Sequence, residues 1–174
     1  LKAQFDSGAS EGPRLGEEAF VTTFPEQLLN FPKPVIAAIN GHAIGVGMTM
    51  TLPCDIRLVA ENAKLGLTFT KMGILPGLGS TQLLQNIVGP GKARELGLSS
   101  KIILGPEAAA IGFANACFPA DELLPAAKKM AAEIASCQPK AVAAAKRLLN
   151  QNQGLSLQEA MQNERSESSA LRGA

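Results

Sequence analysis

The residues Gly41-His42-Ala43-Ile44-Gly45-Val46-Gly47 lie between an apolar run at 35–39 and a brief helical stretch at 48–52. Such a strand–turn–helix layout carries chemistry in its main chain. Glycines let the backbone come close to a ligand. The first N–H groups of a helix have no intrahelical acceptor and stand at the positive end of its dipole. The amides of Val46 and Gly47 therefore suit a carbonyl oxygen that gains negative charge during a reaction. The same glycines would also permit close helix–strand packing, and the motif alone leaves both readings open. A second turn, Gly73-Ile74-Leu75-Pro76-Gly77-Leu78-Gly79-Ser80, has the same punctuation and on its own is a helix-opening loop.

Other chemistries fit less well. The first turn is spaced GxxxGxG, not GxGxxG, and Gly89-Pro90-Gly91-Lys92-Ala93 lacks the spacing of a phosphate-binding loop. His42 is the single histidine, and Cys54, Cys117 and Cys137 are far apart with no CxxC, so no zinc site is spaced here. Free thiols that are partly buried fit such cysteines and weakly indicate a reducing compartment, cytoplasmic or, in a eukaryote, mitochondrial or peroxisomal. A Ser80–His42–Asp55 triad has no supporting spacing.

The elements that position these turns are read from pattern. The chain has 174 residues, 46% of them hydrophobic, enough for one ordinary core. A net charge of +1 and the absence of Trp and Tyr argue against a nucleic-acid partner, and no apolar run reaches membrane-spanning length. Residues 6–16 read as a loop. Residues 17–30 have near-helical apolar spacing, with Pro25 expected to kink or end the first part. Strands are expected at 35–39, 55–59 and 64–67, the first covered on both faces. Helices are expected at 80–88 and 92–98, broken by Gly89-Pro90-Gly91, and at 106–111. Beyond Pro119 the pattern is helical only. Asp121 is placed to cap a helix to about Cys137, Pro139 to open the next, and Ser156 with Glu159 to form a capping box.

The two turns with their connecting strands, PVIAAINGHAIGVGMTMTLPCDIRLVAENAKLGLTFTKMGILPGLGSTQLLQNIVG, resemble the crotonase superfamily, the enoyl-CoA hydratase/isomerase group. The likeness continues through KARELGLSSKIILGPEAAAIGFANACFP and the C-terminal helices. It implies an α/β fold, a spiral of ββα units (here partial, residues 1–119) followed by a helical trimerisation region (120–174). It implies an acyl-CoA thioester as substrate, with no separate cofactor, in fatty acid metabolism, and a homotrimer or dimer of trimers. It also implies two backbone amides around the thioester oxygen that stabilise an enolate. One belongs to the middle residue of the glycine turn, Val46, with Gly47 beside it. The other comes from an upstream segment of the form small-Gly-Ala-Asp, which this chain lacks. Leu1-Lys2-Ala3 resembles the residues directly after that segment, so the chain reads as a C-terminal portion. The same resemblance puts Lys2, Ala3, Gly45, Thr49, Phe69, Thr70, Leu75, Pro76 and Gly77 against the substrate, with Lys2 in reach of the coenzyme A phosphates or free at the surface.

The pattern breaks at the acids. Hydratases of this family carry one glutamate three residues after the oxyanion residue and another four before the glycine that opens the second turn; here these positions are Thr49 and Phe69. Isomerases place an acid after the proline of the second turn, here Gly77. Thr and Phe cannot serve as general acid or base at neutral pH. His42 is the one group with an unperturbed pKa near neutrality, but its motif position suits packing behind the turn. Glu17, Glu18 and Glu26 are either candidate bases lining an acyl pocket or a solvated helix face. Asp55, after Cys54, is expected to bond backbone, and Lys128, Lys129, Lys140, Lys146 and Arg147 to be mostly solvated. The readings that remain are a crotonase-type enzyme with an unusual acid or none, an acyl-CoA binder of little activity, and a non-enzymatic oligomer partner.

Overall fold

Strand β3, Ile56–Ala60, is the centre of the molecule, because its apolar side chains are covered on both faces. The computed structural model describes residues 19–172. Helix α1 (Ala19–Leu29) leads into β1 (Ile36–Ile39), and β1, β3 and β6 (Ala116–Phe118) form a parallel sheet in the order β1-β3-β6. Ile36 lies opposite Ile56, and Leu58 opposite Ala116. A second sheet has β4 (Lys64–Gly66) between β2 (Ala43–Ile44), parallel to it, and β5 (Ile102–Leu104), antiparallel. Met48, Leu58, Leu65, Ile103, Phe113 and Leu123 are fully buried in the core that these layers share.

The remaining elements hang on these sheets. Helix α2 (Val46–Thr49) is one turn long and comes directly after β2. A 3₁₀ turn, Thr70–Met72, precedes α3 (Ser80–Ser99), and α4 (Gly105–Ala110) links β5 to β6. Beyond β6 come α5 (Ala120–Ala135), α6 (Pro139–Gln151) and α7 (Leu157–Arg172). No strand comes after β6 among the described residues, and no helix there is long and apolar enough to cross a membrane.

Several expectations are met and several corrected. Pro25 lies inside α1 without ending it. Gly89 breaks α3 with φ 76° and ψ 161°, where the Gly-Pro-Gly sequence predicts an interruption. The helix after the first glycine turn begins at Val46 and ends at Thr49, earlier than expected, because Met50 to Pro53 continue only as turns. Three strands are new: β2, β5 and β6 are two or three residues long, too short to show a periodicity. Asp121 is not the cap of α5: Pro119 holds that position with no side-chain bond, and Asp121 lies in the first turn, where its charge suits the dipole. Pro139 does open α6, capped by Gln138 Oε1, which accepts from the Lys140 amide at 2.7 Å. The capping box is formed as read: Glu159 Oε2 accepts from the Ser156 amide at 2.9 Å, and Ser156 Oγ from the Glu159 amide at 3.3 Å. The loop expected at 6–16, with Lys2, Ala3, Glu17 and Glu18, lies outside the described residues.

Candidate active site

The turn between β2 and α2 is built on Gly45. Its φ of 59° and ψ of −119° suit glycine and strain any residue with a Cβ. Its N–H donates to Gly66 O at 2.8 Å, which ties the turn to β4. Gly66 in turn lets β5 approach, since a Cβ there would stand 2.5 Å from Ile102 Cδ1. The Gly45 carbonyl accepts from the amides of Met48 at 3.0 Å and Thr49 at 3.1 Å. The helix thus starts at Val46, and the amides of Val46 and Gly47 meet no acceptor among the described residues. Val46 is 47% exposed, so this end of the helix opens to solvent rather than into the core. Two free amides at a helix start can receive one developing negative oxygen.

Around this turn the side chains are apolar or already bonded. Thr49 is fully buried and its Oγ1 donates to Val46 O at 3.2 Å. Phe69 is 6% exposed, and its ring lies 3.7 Å from where a Gly45 Cβ would stand. Gly77 is half-buried against α1: a Cβ there would be 3.3 Å from Val21 Cγ1. Leu75 is exposed and Pro76 half-buried. Thr70 Oγ1 shares a hydrogen bond of 2.6 Å with Ser100 Oγ. The structure thus brings Gly45, Val46, Thr49 and Phe69 together and sets Gly77 beside α1, whereas the Thr70 hydroxyl is engaged with Ser100.

The candidate acids and bases stand elsewhere. His42 Nδ1 accepts from the Lys64 amide at 3.3 Å, which makes it a cap of β4 behind the turn. Glu26 is exposed. Asp55 Oδ2 accepts from the Val35 amide at 2.7 Å, the backbone role expected of it. Ser80 Oγ is buried with no partner, and neither His42 nor Asp55 bonds to it. The expectation for Lys146 is corrected: it is buried and paired with Asp55 Oδ2 at 2.8 Å, because Asp55 and two main-chain carbonyls supply its acceptors. Lys128, Lys129, Lys140 and Arg147 are exposed, Arg147 in an ion pair with Glu167. Of the thiols, Cys54 and Cys117 are half-buried and Cys137 is exposed.

Arg57 has a role that pattern reading missed. It is buried within β3, where Nη1 donates to Cys54 O at 2.6 Å and Nε to Phe113 O at 2.7 Å. It thereby pins the chain that leaves α2 to the core. Burial pulls its pKa below the usual arginine value, and neighbouring Cys54 and Asp55 oppose this. The signal was present in the sequence: a cation inside the apolar run Ile56-Arg-Leu-Val-Ala must be buried with its hydrogen bonds met.

A cavity of about 590 Å³ lies away from this turn, between β1, α5 and α6, lined by residues such as Ile36, Leu124, Ala131 and Val142. Neither Val46 nor Gly47 lines it.

The enoyl-CoA hydratase/isomerase family profile matches residues 17–171. The chain belongs to that family. The 2,3-dehydroadipyl-CoA hydratase of Escherichia coli K12 is 40% identical over 139 residues, covering 80% of this chain and 54% of the relative. The crotonyl-CoA hydratase of Syntrophomonas wolfei is 42% identical over 129 residues, 74% of this chain and 50% of the relative. The chain thus spans about half the length of these curated relatives. The crystal structure of the Bacillus anthracis enoyl-CoA hydratase superposes with a TM-score of 0.90 at 35% identity, over 97% of this chain and 65% of that one. A Thermobifida fusca homologue solved in complex with CoA superposes at 0.85 with 30% identity, over 98% and 69%. The mixed α/β crotonase-like fold is therefore established.

Proposed function

We propose that this crotonase-family chain binds an acyl-CoA thioester and stabilises its enolate through the Val46 amide, with Gly47 beside it, as an enzyme of the hydratase/isomerase type. The observation that carries the reading is the Val46 N–H itself: it opens a helix, has no acceptor among the described residues and belongs to a half-exposed residue. Such a donor acts only where charge develops and needs no side chain. The relatives support the substrate class, since the hydratases above act on CoA thioesters by name and the Thermobifida fusca structure holds CoA. The cleft would meet the acyl part with Phe69, Leu75, Pro76 and Gly77. Residues 1–119 would form the partial spiral and 120–174 the helical region through which trimers assemble.

Water addition is the weak step of this reading. It needs a group to take and return a proton, and Thr49 is buried and bonded to Val46 O while Phe69 presents a ring. These two residues favour a second reading, a homologue that binds acyl-CoA with little turnover. Calorimetric titration with crotonyl-CoA and with coenzyme A, beside assays of crotonyl-CoA hydration and 3-enoyl-CoA isomerisation, separates the two. Turnover supports the enzyme, binding without turnover supports the binder, and no binding of either ligand refutes both.

A further inference from the structure

Helix α1 ends at Leu29, and the last carbonyls of a helix have no donor within it. Its own last turn carries no basic residue. The Phe31 amide donates to Leu28 O at 3.3 Å and the Asn30 amide to Glu26 O at 2.9 Å, and further donors come from α6, more than a hundred residues later. Lys146 Nζ donates to Leu28 O at 3.2 Å, and Asn150 Nδ2 to Leu29 O at 2.9 Å. These residues stand four apart, so one face of α6 presents both. Lys146 Nζ also donates to Lys33 O at 3.1 Å and Asp55 Oδ2 at 2.8 Å, and three acceptors satisfy an ammonium group. Its side chain is 5% exposed, and a buried cation at a helix C-terminus lies where the dipole favours it.

Helix α1 carries a ring contact of its own, Phe20 against Phe24 with centroids 5.0 Å apart. It has 11 residues, short for an isolated helix, and Pro25 lacks the N–H that would bond to the Val21 carbonyl. Val21 is also the residue whose Cγ1 approaches Gly77 of the second turn. One end of α1 is thus held by α6, and near the other Val21 stands beside Gly77, which the proposed reading sets against the acyl group.

We propose that Lys146 and Asn150 are positioning residues that cap α1, keep Val21 against Gly77, and so fix the length of acyl chain the cleft admits. The acyl-length role rests on the thioester reading above; the cap does not. A buried ion pair contributes little stability relative to an apolar replacement of similar size. Its effect here is geometric, holding α1, the 30–35 link and Asp55 in one arrangement.

The test uses Lys146→Met and Asn150→Ala in the full chain. Amide hydrogen exchange across α1 is compared with that of β3, and affinities are measured for coenzyme A, butanoyl-CoA and decanoyl-CoA. Exchange in α1 should quicken about tenfold or more while β3 stays protected. The ratio of decanoyl to butanoyl affinity should shift about fivefold or more, with coenzyme A unchanged. Unaltered α1 exchange in both variants overturns the proposal, and so does an equal loss for both thioesters, the mark of a merely structural role. If Lys146→Met does not fold, Asn150→Ala decides, because it leaves the Lys146–Asp55 pair in place. Quickened α1 exchange in a protein whose wild type binds neither thioester upholds the cap and overturns the acyl-length role together with the thioester reading.

Discussion

The Phe69 ring packs 3.7 Å from the point at which a Cβ on Gly45 would project, so the turn that presents the Val46 amide rests on an aromatic floor. That distance is an ordinary van der Waals contact, and space is not what demands glycine at position 45. The backbone demands it, at φ 59° and ψ −119°.

Gly45→Ala should therefore cost about 1–3 kcal/mol in backbone strain and weaken thioester binding. Adding Phe69→Ala should not restore either property. Chemical denaturation and ligand titration of both variants check this, and full rescue by the second substitution would show that crowding was the constraint.

Val46→Pro removes one N–H at the first position of a helix, where proline is tolerated. Thermal stability should stay near that of the wild type. Turnover, or thioester affinity where turnover is absent, should fall about 10²-fold or more, as for loss of an oxyanion donor. Val46→Gly keeps the N–H and should keep the function. Near-normal behaviour of the proline variant removes this amide from the mechanism.

Thr49→Glu combined with Phe69→Glu supplies the two carboxylates that hydration lacks. Hydration of crotonyl-CoA should rise above the wild-type rate. Both positions are buried, so the double variant should also lose stability, by up to several kcal/mol per unpaired charge. Stopped assays together with a denaturation curve read both effects. A folded double variant with no gain would mean that more than these two groups is missing.

Much of the turn was legible in the sequence because its devices are local. Gly45 marks a backbone that suits glycine, Ser156 with Glu159 marks a helix start, and Gly89-Pro90-Gly91 marks a break; each acts within a few residues of itself. Arg57 and Lys146 were harder. Their partners are set by the fold: Arg57 Nε reaches Phe113 O and Lys146 Nζ reaches Leu28 O, each across more than fifty residues. Charge type alone suggests solvent for Lys146 in an otherwise basic helix, and only tertiary packing shows the carbonyls that receive it. The short strands β2, β5 and β6 share this fate, since pairing rather than periodicity defines them.

The thiols should separate by reactivity. Cys137 is exposed, whereas burial pushes the Cys54 and Cys117 thiols above their ordinary value, so less thiolate is present at neutral pH. Arg57 counteracts the rise at Cys54, and Glu61 adds to it at Cys117. Titration with a chromogenic disulfide on the native protein should give one fast thiol, lost in Cys137→Ser, and two slow ones that quicken on unfolding. A fast phase that persists in Cys137→Ser would contradict the burial of the other two.

The capping box gives α7 a dependence on acid. Glu159 is held below the ordinary carboxylate value, first by the Ser156 hydroxyl and then by the Ser156 amide. A carboxylate whose pKa is lower in the folded state contributes stability that is fully present above its unfolded value and lost as pH falls through the folded value. The start of α7 should thus be firm at neutral pH and fray as pH drops from the ordinary carboxylate range to below it. Hydrogen exchange or amide chemical shifts of Leu157–Arg172 track this directly. Glu159→Gln should fray less with acid, having no carboxylate to protonate, and Ser156→Ala should shift the transition up towards the ordinary carboxylate value. Because the residue is solvent-exposed, the change should stay confined to α7, and a pH-dependent loss of the whole fold in step with it would contradict the assignment.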